Sequence, residues 1–310
     1  MKKKLIAAAT AVIALSLAAC TTPTSTPSGG AGDVLTIGLI TKFPVDFYDT
    51  MVDAAKAWDA AEPGAQVIYA QGKSGTDDEG EIAAIQSMIT QGVDAIAITP
   101  TSPNVMGDLQ KAVDAGIPVI LIDNDIPDWA GKTAVVATDN FAGGQLAGTW
   151  LADNLPAGTK LGVLQGVLGN PSLDDRVSGM LDTLGDKAEV VATTPTDCDQ
   201  TKGLNAAQDM LTAHPDLTAI YSACGPPLTG ALEAIKSSGR TIITVGFDAS
   251  PDEVASIAAG IESASVAQFP AKMGSLGVQA AFDAAQKKKV EAKIDTGTEM
   301  VTKDNVAKFQ

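Results

Sequence analysis

The sequence is poor in the residues that most often carry catalysis and metal binding. In 310 residues it has one histidine, three cysteines and two arginines, Arg176 and Arg240. His214 precedes a proline in a segment typical of a solvent-facing turn. Cys198 and Cys224 belong to no CxxC pair and have no neighbouring histidine, so zinc ligation is not indicated. With no nucleophile–base set, we expect a protein that is not an enzyme and holds no metal or cofactor.

Positive charge is also scarce. Lysine and arginine total 21 against 37 aspartate and glutamate residues, and the formal net charge is -16. Removal of residues 1–19 takes away three lysines and no acid, which leaves a charge of -19. Such a surface repels nucleic acid and anionic lipid headgroups. The charge therefore favours a soluble body whose ligand is small and neutral.

The N-terminus has one apolar run, which is short for a membrane span. Met1–Lys4 is basic, Leu5–Ala18 is apolar, and the sequence Leu-Ala-Ala before Cys20 resembles a bacterial lipobox. This predicts a signal peptide over 1–19 and lipid attachment at Cys20; an ordinary secretory peptide is the alternative. Residues 20–33 are rich in Thr, Pro, Ser and Gly, which indicates a flexible tether. We expect an extracytoplasmic protein, anchored to the cell membrane by lipid only, on its periplasmic side or outer face.

The rest of the chain alternates short apolar runs with segments of helical periodicity. The first run, 34–41, is followed by a predicted loop over 42–49 and a predicted helix from Thr50. Later helices are expected from Leu228 and over 270–289. Strands that alternate with helices through short connections predict an α/β fold, in which helices cover both faces of parallel sheets.

Two of the apolar runs end in a carboxylate. The sequence PVILIDND places Asp123 after one buried strand, and TIITVGFD places Asp248 after another. The elements that lead to them, from Ala95 and from Ala219, have the same order, which favours two lobes of one topology. Ligands of open α/β sheets lie outside the carboxyl ends of the strands. We expect the two acids to face each other across a cleft that holds a polyhydroxy ligand. A turn or helix-cap role for Asp123, and glycoside hydrolysis by the pair, are the alternatives.

Several stretches together resemble one family of receptors. In order along nearly the whole chain after the tether they are ITPTSP, PVILIDND, ATDNFAGG, LQGVLGNPSLDDRVSG, TKGLNAAQDMLTAHPDLTAIY, VGFDASPD and VAQFPAKMG. They are similar to the sugar-binding proteins of ABC importers of the ribose-binding type, the type I periplasmic binding proteins. Lactose-repressor-like regulators share this fold in their ligand-binding half, but the lipobox and the lack of a DNA-binding headpiece argue against a repressor.

The resemblance implies two Rossmann-like lobes joined by a hinge of three crossings. The crossings are expected near Thr138–Asp139, Gln268–Phe269 and Gly297. The limits that follow are 34–138 plus 269–297 for the N-terminal lobe and 139–268 plus 298–310 for the C-terminal lobe.

The resemblance also implies a set of ligand contacts. The matching positions are Lys42, Phe43, Phe47, Tyr48, Asp123, Asn124, Arg176, Cys198, Cys224, Asp248 and Gln268. Three of the chain's few aromatic residues fall between Phe43 and Tyr48, and aromatic faces suit the C–H faces of sugar rings; hydrophobic packing over the loop is the alternative. Asp123 can accept two hydroxyls, and Arg176 offers a fork of donors between carboxylates.

Four of these positions depart from ribose binders. Lys42 stands where they have a small hydroxyl residue, and Asn124 where they have arginine. Cys198 replaces an aromatic residue and Cys224 a ligand amide, at positions that the family places on neighbouring strand ends. The resemblance therefore implies a Cys198–Cys224 disulfide in the cleft wall. The altered pocket suits a different pentose, a ketose or a sugar alcohol as well as ribose.

The expected function is capture. Closure about the hinge buries a monosaccharide or sugar alcohol, and the monomeric closed form delivers it to the transmembrane subunits of an ABC permease. A receptor mainly for chemotaxis or sensor signalling, or one for an autoinducer-2-like ligand, is the alternative that the sequence leaves open.

Overall fold

Two six-stranded sheets form the centres of two α/β lobes. The computed structural model describes residues 34–310. The signal peptide predicted over 1–19, the lipidation at Cys20 and the tether over 20–33 lie outside the described residues. Within residues 34–310, no helix combines the length and the apolarity that crossing a membrane requires.

The first sheet and its helices come mainly from the first part of the chain. The elements are β1 Leu35–Thr41, α1 Asp46–Ala61, β2 Ala65–Gln71, α2 Asp78–Gln91, β3 Ala95–Ile98, α3 Met106–Asp114, β4 Val119–Ile122 and β5 Ala134–Ala137. Every residue of β3, β4 and β5 is buried, as expected for parallel strands with helices on both faces.

The second sheet repeats this alternation. Its elements are α4 Asn140–Asn154, β6 Thr159–Gln165, α5 Pro171–Leu184, β7 Ala188–Pro195, α6 Gln200–Ala213, β8 Leu217–Ser222, α7 Gly225–Ser238, β9 Ile243–Asp248, α8 Pro251–Ala259 and β10 Ala264–Ala267. The chain then returns to the first sheet through α9 Pro270–Ala285 and β11 Lys293–Asp295, and ends in the second sheet with β12 Glu299–Thr302.

The two sheets have the same strand order. The first reads β11-β5-β4-β3-β1-β2 and the second β12-β10-β9-β8-β6-β7. All pairings are parallel except that between β10 and β12. Strands β4 and β9 therefore occupy corresponding places, so that Asp123, just after β4, and Asp248, the last residue of β9, stand at corresponding strand ends.

Three helix limits differ from those predicted. Helix α1 begins at Asp46, so the predicted loop over 42–49 is wrong in its second half; Asp46 and Asp49 suit the positive end of a helix in the first turn. Helix α7 begins at Gly225 instead of Leu228, because the two prolines after Gly225 fit the first turn. Helix α9 ends at Ala285 instead of Lys289, since Lys287 takes a left-handed backbone conformation.

Helices α4 and α5 are in close contact through glycine. A Cβ atom added to Gly144 would lie 2.4 Å from the carbonyl oxygen of Arg176, and one added to Gly179 would lie 2.2 Å from that of Phe141. Only glycine permits so close an approach of two backbones. This close packing of α5 on α4 helps to set the position of Arg176 relative to the carboxyl ends of the strands of the second sheet.

Candidate ligand-binding site

A cavity of about 250 Å³ lies between the carboxyl ends of the two sheets. The structure brings to it all eleven positions named from the sequence, which are Lys42, Phe43, Phe47, Tyr48, Asp123, Asn124, Arg176, Cys198, Cys224, Asp248 and Gln268. Their role as ligand contacts stays a prediction. The volume is slightly below that of typical ligand sites, which measure ~300–1,000 Å³.

The aromatic side of the cavity belongs to the first lobe. Phe43 follows β1, whereas Phe47 and Tyr48 lie on the first turn of α1. The ring of Tyr48 meets Phe43 and Phe47 edge-to-face, with centroids 5.4 Å and 5.2 Å apart. These contacts hold the three rings as one wall.

Asp123 is a buried carboxylate with one oxygen free. Its backbone is left-handed, with a φ of 66°, which turns the side chain towards the cavity at the end of β4. Tyr48 Oη donates to Oδ2 over 3.2 Å, and Asn124 Nδ2 donates to the same oxygen. Within the described part of the chain, no donor reaches Oδ1. Burial, together with Asp123, raises the pKa of the Tyr48 phenol well above its usual value, so that it remains a neutral donor.

Lys42 brings a buried ammonium to the same lobe. The residue is 7% exposed and lines the cavity. Its Nζ makes no hydrogen bond or salt bridge to any residue from 34 to 310. Burial lowers the pKa of Lys42, while the nearby Asp123 and Glu81 oppose that shift. An ammonium in such a place needs oxygen acceptors from what enters the cavity.

Arg176 is the corresponding cation of the second lobe. Its Nε donates to Asn140 Oδ1 and its Nη1 to the carbonyl oxygen of Ala223, each over 2.9 Å. The guanidinium lies over the ring of Phe247, 4.1 Å from the centroid. These contacts orient the planar group, and no hydrogen bond to Nη2 is found in residues 34–310.

Asp248 is held by donors on both of its oxygens. Gly225 N donates to Oδ2 over 3.0 Å. Gln268 Nε2 and Arg176 Nη1 approach Oδ1 at 2.7 Å and 3.4 Å. Burial raises the pKa of Asp248, with Arg176 acting against the shift. Gln268 keeps its own Oε1 buried and without a partner among the described residues, which leaves an acceptor beside the cavity.

The two cysteines of the site form a disulfide. Cys198 and Cys224 are bonded, with their Cα atoms 5.6 Å apart. The expectation that they lie on neighbouring strand ends is wrong, because β6 separates β7 from β8 in the sheet. The loop after β7 crosses the end of β6 instead, where Thr196 N donates to the carbonyl oxygen of Gln165 over 2.7 Å. The disulfide therefore bridges over β6 and forms one wall of the cavity.

Two hydrogen bonds beside the cavity join the lobes. Asn170 Nδ2 donates to Asn124 Oδ1 over 2.9 Å, and Ser172 Oγ donates to the carbonyl oxygen of Asp123 over 3.4 Å. Asn170 also caps α5 by accepting from Leu173 N. The Asn-Pro pair at this helix start is a recognisable cap signal in the sequence, although it does not indicate a contact between lobes.

Sequence reasoning missed further residues of the cavity lining. They are Val45, Asp46, Gly75, Val167, Asn170, Leu173, Asp197, Gln200, Pro226, Thr229, Ser250 and Asp252. Half of them lie in loops and half lie on helices near the N-terminal end. Within residues 34–310, no group of three or more His, Cys, Asp or Glu side chains is arranged to hold a metal ion.

Two lobes of like topology around a polar cavity at their strand ends define a class, the two-lobed ligand-binding proteins. A family model described as a periplasmic binding protein domain matches residues 37–289. The chain belongs to this family, the type I periplasmic binding proteins.

Three relatives illustrate the likeness. The ribose import binding protein RbsB of Bacillus subtilis (strain 168) is 36% identical over 245 residues, 79% of each chain. An ABC transporter solute binding protein from Agrobacterium vitis, solved with alpha-D-tagatopyranose, has a TM-score of 0.83 at 29% identity and covers 88% of this chain and 96% of its own. One from Mycobacterium smegmatis, solved with glycerol, has a TM-score of 0.83 at 30% identity, with coverages of 89% and 96%. All three are binding proteins of transport systems.

Proposed function

We propose that the chain is an extracytoplasmic binding lipoprotein that captures one monosaccharide or sugar alcohol and delivers it to an ABC permease. The observation that carries the proposal is the set of free polar atoms in the cavity. Oδ1 of Asp123, Nζ of Lys42 and Nη2 of Arg176 belong to buried side chains, and they offer an acceptor and two donors. Vicinal hydroxyls, which both donate and accept, satisfy such a set.

The charge balance favours a neutral ligand. The guanidinium of Arg176 forms a salt bridge with Asp248, and the carboxylate of Asp123 is the nearby opposite charge for Lys42, so these buried charges balance and give the cavity no net positive charge that would attract an anion. Asp46 and Asp252 add negative charge at the lining. The aromatic wall of Phe43 and Phe47 provides apolar contact for one face of a ring. The names of the three relatives, with ribose, tagatopyranose and glycerol, fit this class of ligand.

The capture step follows from the connections between the sheets. The chain passes between them after β5, β10 and β11. We take the lobes, 34–138 plus 269–297 and 139–268 plus 298–310, to move as units about these crossings. Ligand that contacts Asp123 on one side and Arg176 on the other favours the closed state. A signal peptide over 1–19 would direct export, and a lipid on Cys20 would keep the monomeric receptor near its permease.

A thermal-shift panel tests the function. The mature chain with Cys20→Ser is heated with D-ribose, D-arabinose, D-allose, D-tagatose, myo-inositol and glycerol, and with the anion D-gluconate. A ligand whose concentration is a hundred times its Kd raises the free energy of unfolding by about 2.7 kcal/mol. In a domain of this size that raises Tm by roughly 5–10 °C.

Two controls make the panel decisive. The same compounds are measured with Asp123→Ala, in which the shift should shrink for a ligand of this cavity, and with Asp128→Ala, an exposed aspartate nearby, in which it should persist. A panel in which only gluconate raises Tm, or in which no sugar or polyol does, contradicts the proposal.

A further inference from the structure

Two glutamates are buried behind Asp248, outside the cavity lining. Glu253 lies in the first turn of α8 and is 1% exposed; Glu262 precedes β10 and is 2% exposed. They meet at Gly246 in β9, where an added Cβ atom would lie 2.3 Å from Oε1 of Glu253 and 2.9 Å from Oε1 of Glu262. The absence of a side chain at Gly246 lets the two carboxyl groups face each other.

The hydrogen bonds of this pair are unequal. Glu253 Oε2 accepts from the backbone and hydroxyl of Ser250, each over 2.9 Å, and its Oε1 accepts from Ser265 Oγ over 2.9 Å. Both oxygens of Glu262 are buried without a partner among the described residues. A carboxyl group in that state is either an uncompensated charge or a protonated acid that donates its own hydrogen.

The charges around the pair do not compensate it. No lysine or arginine in residues 34–310 forms a salt bridge with either glutamate. The neighbouring charge from β9 is another acid, Asp248, and the nearby guanidinium of Arg176 on α5 is already directed at Asp248. On α8, Asp252 is exposed, and Lys303 contacts the far end of the helix at the carbonyl oxygen of Ala258. The strand β10 and the start of α7 offer only Ser265 and Gly225.

Two facing carboxyls with no cation are stable when one proton is shared between them. A proton on Glu262 turns an orphaned acceptor into a donor, and Oε1 of Glu253 is the acceptor beside it. Burial raises the pKa of Glu253 to about 8, with Asp248 adding to the shift, and burial raises the pKa of Glu262 well above its usual value.

The pair also supports the second-lobe side of the cavity. Glu253 Oε2 lies 2.5 Å from the place of a Cβ atom on Gly225, and the amide of Gly225 donates to Asp248. Asp248 and Ala249, which lead into α8, both have positive φ and depend on their surroundings to hold it. If Glu253 and Glu262 were both ionised, the second negative charge would repel the carboxylate of Asp248 from the side of this segment that faces away from the cavity.

We propose that Glu253 and Glu262 share one proton in the folded protein, and that this proton keeps Asp248 and Gly225 in their bonded arrangement. Both glutamates are positioning residues. When the pair loses its proton at high pH, the second-lobe side of the cavity loses its ordered arrangement. The effect on ligand affinity rests on the proposed function; the shared proton does not.

The sign of the pH dependence follows from the direction of the shifts. The folded protein binds the shared proton more tightly than the unfolded chain does. The stabilisation is therefore complete below about pH 4.5, the ordinary range of glutamate, and is lost as the pH rises through about 8.

The test uses ligand-free protein, so it does not depend on the function. Tm is measured from pH 5 to 9 for the wild type, for Glu262→Gln and for Glu291→Gln, an exposed control. In Glu262→Gln the new amide donates a hydrogen at every pH and carries no charge. We expect the Tm of Glu262→Gln to equal that of the wild type at pH 5. Between pH 6 and 9, the Tm of the wild type should fall by at least about 3 °C more than the Tm of Glu262→Gln. Glu291→Gln should follow the wild type.

Hydrogen exchange at the Gly225 amide reports on the position of Asp248. Its protection should fall about tenfold or more from pH 6 to 9 in the wild type and change less than about threefold in Glu262→Gln. Should Glu262→Gln not fold, the double variant Glu253→Gln/Glu262→Gln removes both titrating groups of the pair, and its Tm profile should be at least as flat. Variants that keep the wild-type loss of Tm and of Gly225 protection would overturn the proposal.

Discussion

Asn170 Nδ2 in the second lobe donates a hydrogen bond to Asn124 Oδ1 in the first, over 2.9 Å. Both residues are buried, and Asn124 uses its own amide nitrogen on Asp123. The contact between the lobes is therefore continuous with the carboxylate of the cavity. It links the two lobes inside the cleft through residues that also line the cavity.

Replacing Asn170 with serine should weaken ligand binding. Serine keeps the cap on α5 but does not reach Asn124, so only the contact between lobes is lost. A hydrogen bond contributes about 0.5–1.5 kcal/mol, which corresponds to a fall in affinity of roughly twofold to tenfold. Calorimetry measures the affinity, and small-angle scattering the radius of gyration of the free protein. Asn154→Ser, at the exposed end of α4, is the control. Equal affinity and equal radius in both variants would show that the contact does not hold the lobes together.

Asp123→Ala should lower affinity further. The change removes the free acceptor Oδ1 and leaves the phenol of Tyr48 without its partner. An orphaned polar group costs about 1–3 kcal/mol, so a loss of fivefold to more than a hundredfold is expected. Calorimetry with the best compound of the panel measures it, and Asp128→Ala should change little. An unchanged affinity in Asp123→Ala would remove Asp123 from the site.

The disulfide should resist alkylation and add to stability. In a Cys20→Ser chain, a thiol reagent without reductant should label no cysteine in folded or unfolded protein, and mass spectrometry counts the labels. The bridged cysteines are 26 positions apart in the sequence, and for a loop of that length chain entropy predicts a stabilisation of about 3.5 kcal/mol. Denaturation with and without reductant measures that difference. Labelling of both thiols in the folded protein without reductant would refute the pairing.

Gly144→Ala should be destabilising, and Gly107→Ala should not. The new methyl group at 144 would meet the carbonyl oxygen of Arg176 and push α5 away from α4. Overpacking of this kind costs about 1–3 kcal/mol, and the displaced Arg176 should lower affinity as well. Gly107 lies exposed in α3 with nothing within 4 Å of an added Cβ, and alanine there should stabilise by about 0.5–1 kcal/mol. Chemical denaturation measures both. Similar changes in the two variants would argue against close helix contact.

Glu81 should give the protein an additional pH dependence. Its Oε2 accepts from Thr101 N and Thr101 Oγ1 over 2.8 Å and 2.6 Å, and that hydroxyl also contacts Asp78 Oδ1 at 2.7 Å. One hydroxyl hydrogen cannot serve both acids, so a proton on one carboxyl completes the network. Burial raises the pKa of Glu81 to about 7.

The expected sign follows from that rise. The stabilisation from neutral Glu81 is complete below about pH 4.5 and is lost as the pH rises through about 7, by at most about 3 kcal/mol. Denaturation from pH 5 to 8 should therefore show a smaller loss in Glu81→Gln than in the wild type. Glu79→Gln, an exposed neighbour, should follow the wild type. Parallel curves for Glu81→Gln and the wild type would contradict this.

The sequence was sufficient to predict the architecture, because buried strands such as β4 are uninterrupted apolar runs. Since ligands of open α/β sheets lie outside the carboxyl ends of the strands, the place of Asp123 beside the cavity could be predicted as well. The resemblance brought Phe47 and Tyr48 to the cavity, but the sequence was insufficient for the start of α1, on which they lie, because its N-cap, Val45, makes no side-chain cap bond. Glu262 follows a glycine turn and has no sequence feature that indicates burial. Its environment depends on how α7 and α8 pack on the second sheet, and local pattern does not contain that information.

Asp123 and Asp248 stand at corresponding strand ends, yet their neighbours differ. Donors occupy both oxygens of Asp248, whereas Asp123 keeps Oδ1 open. The two lobes thus share one topology, but the polar groups at these two corresponding strand ends differ. A polyol that is itself symmetric, such as glycerol, would meet two different environments there. Its two chemically identical terminal hydroxyls would become distinguishable, so such a cleft would select one prochiral orientation of a ligand that has no handedness of its own.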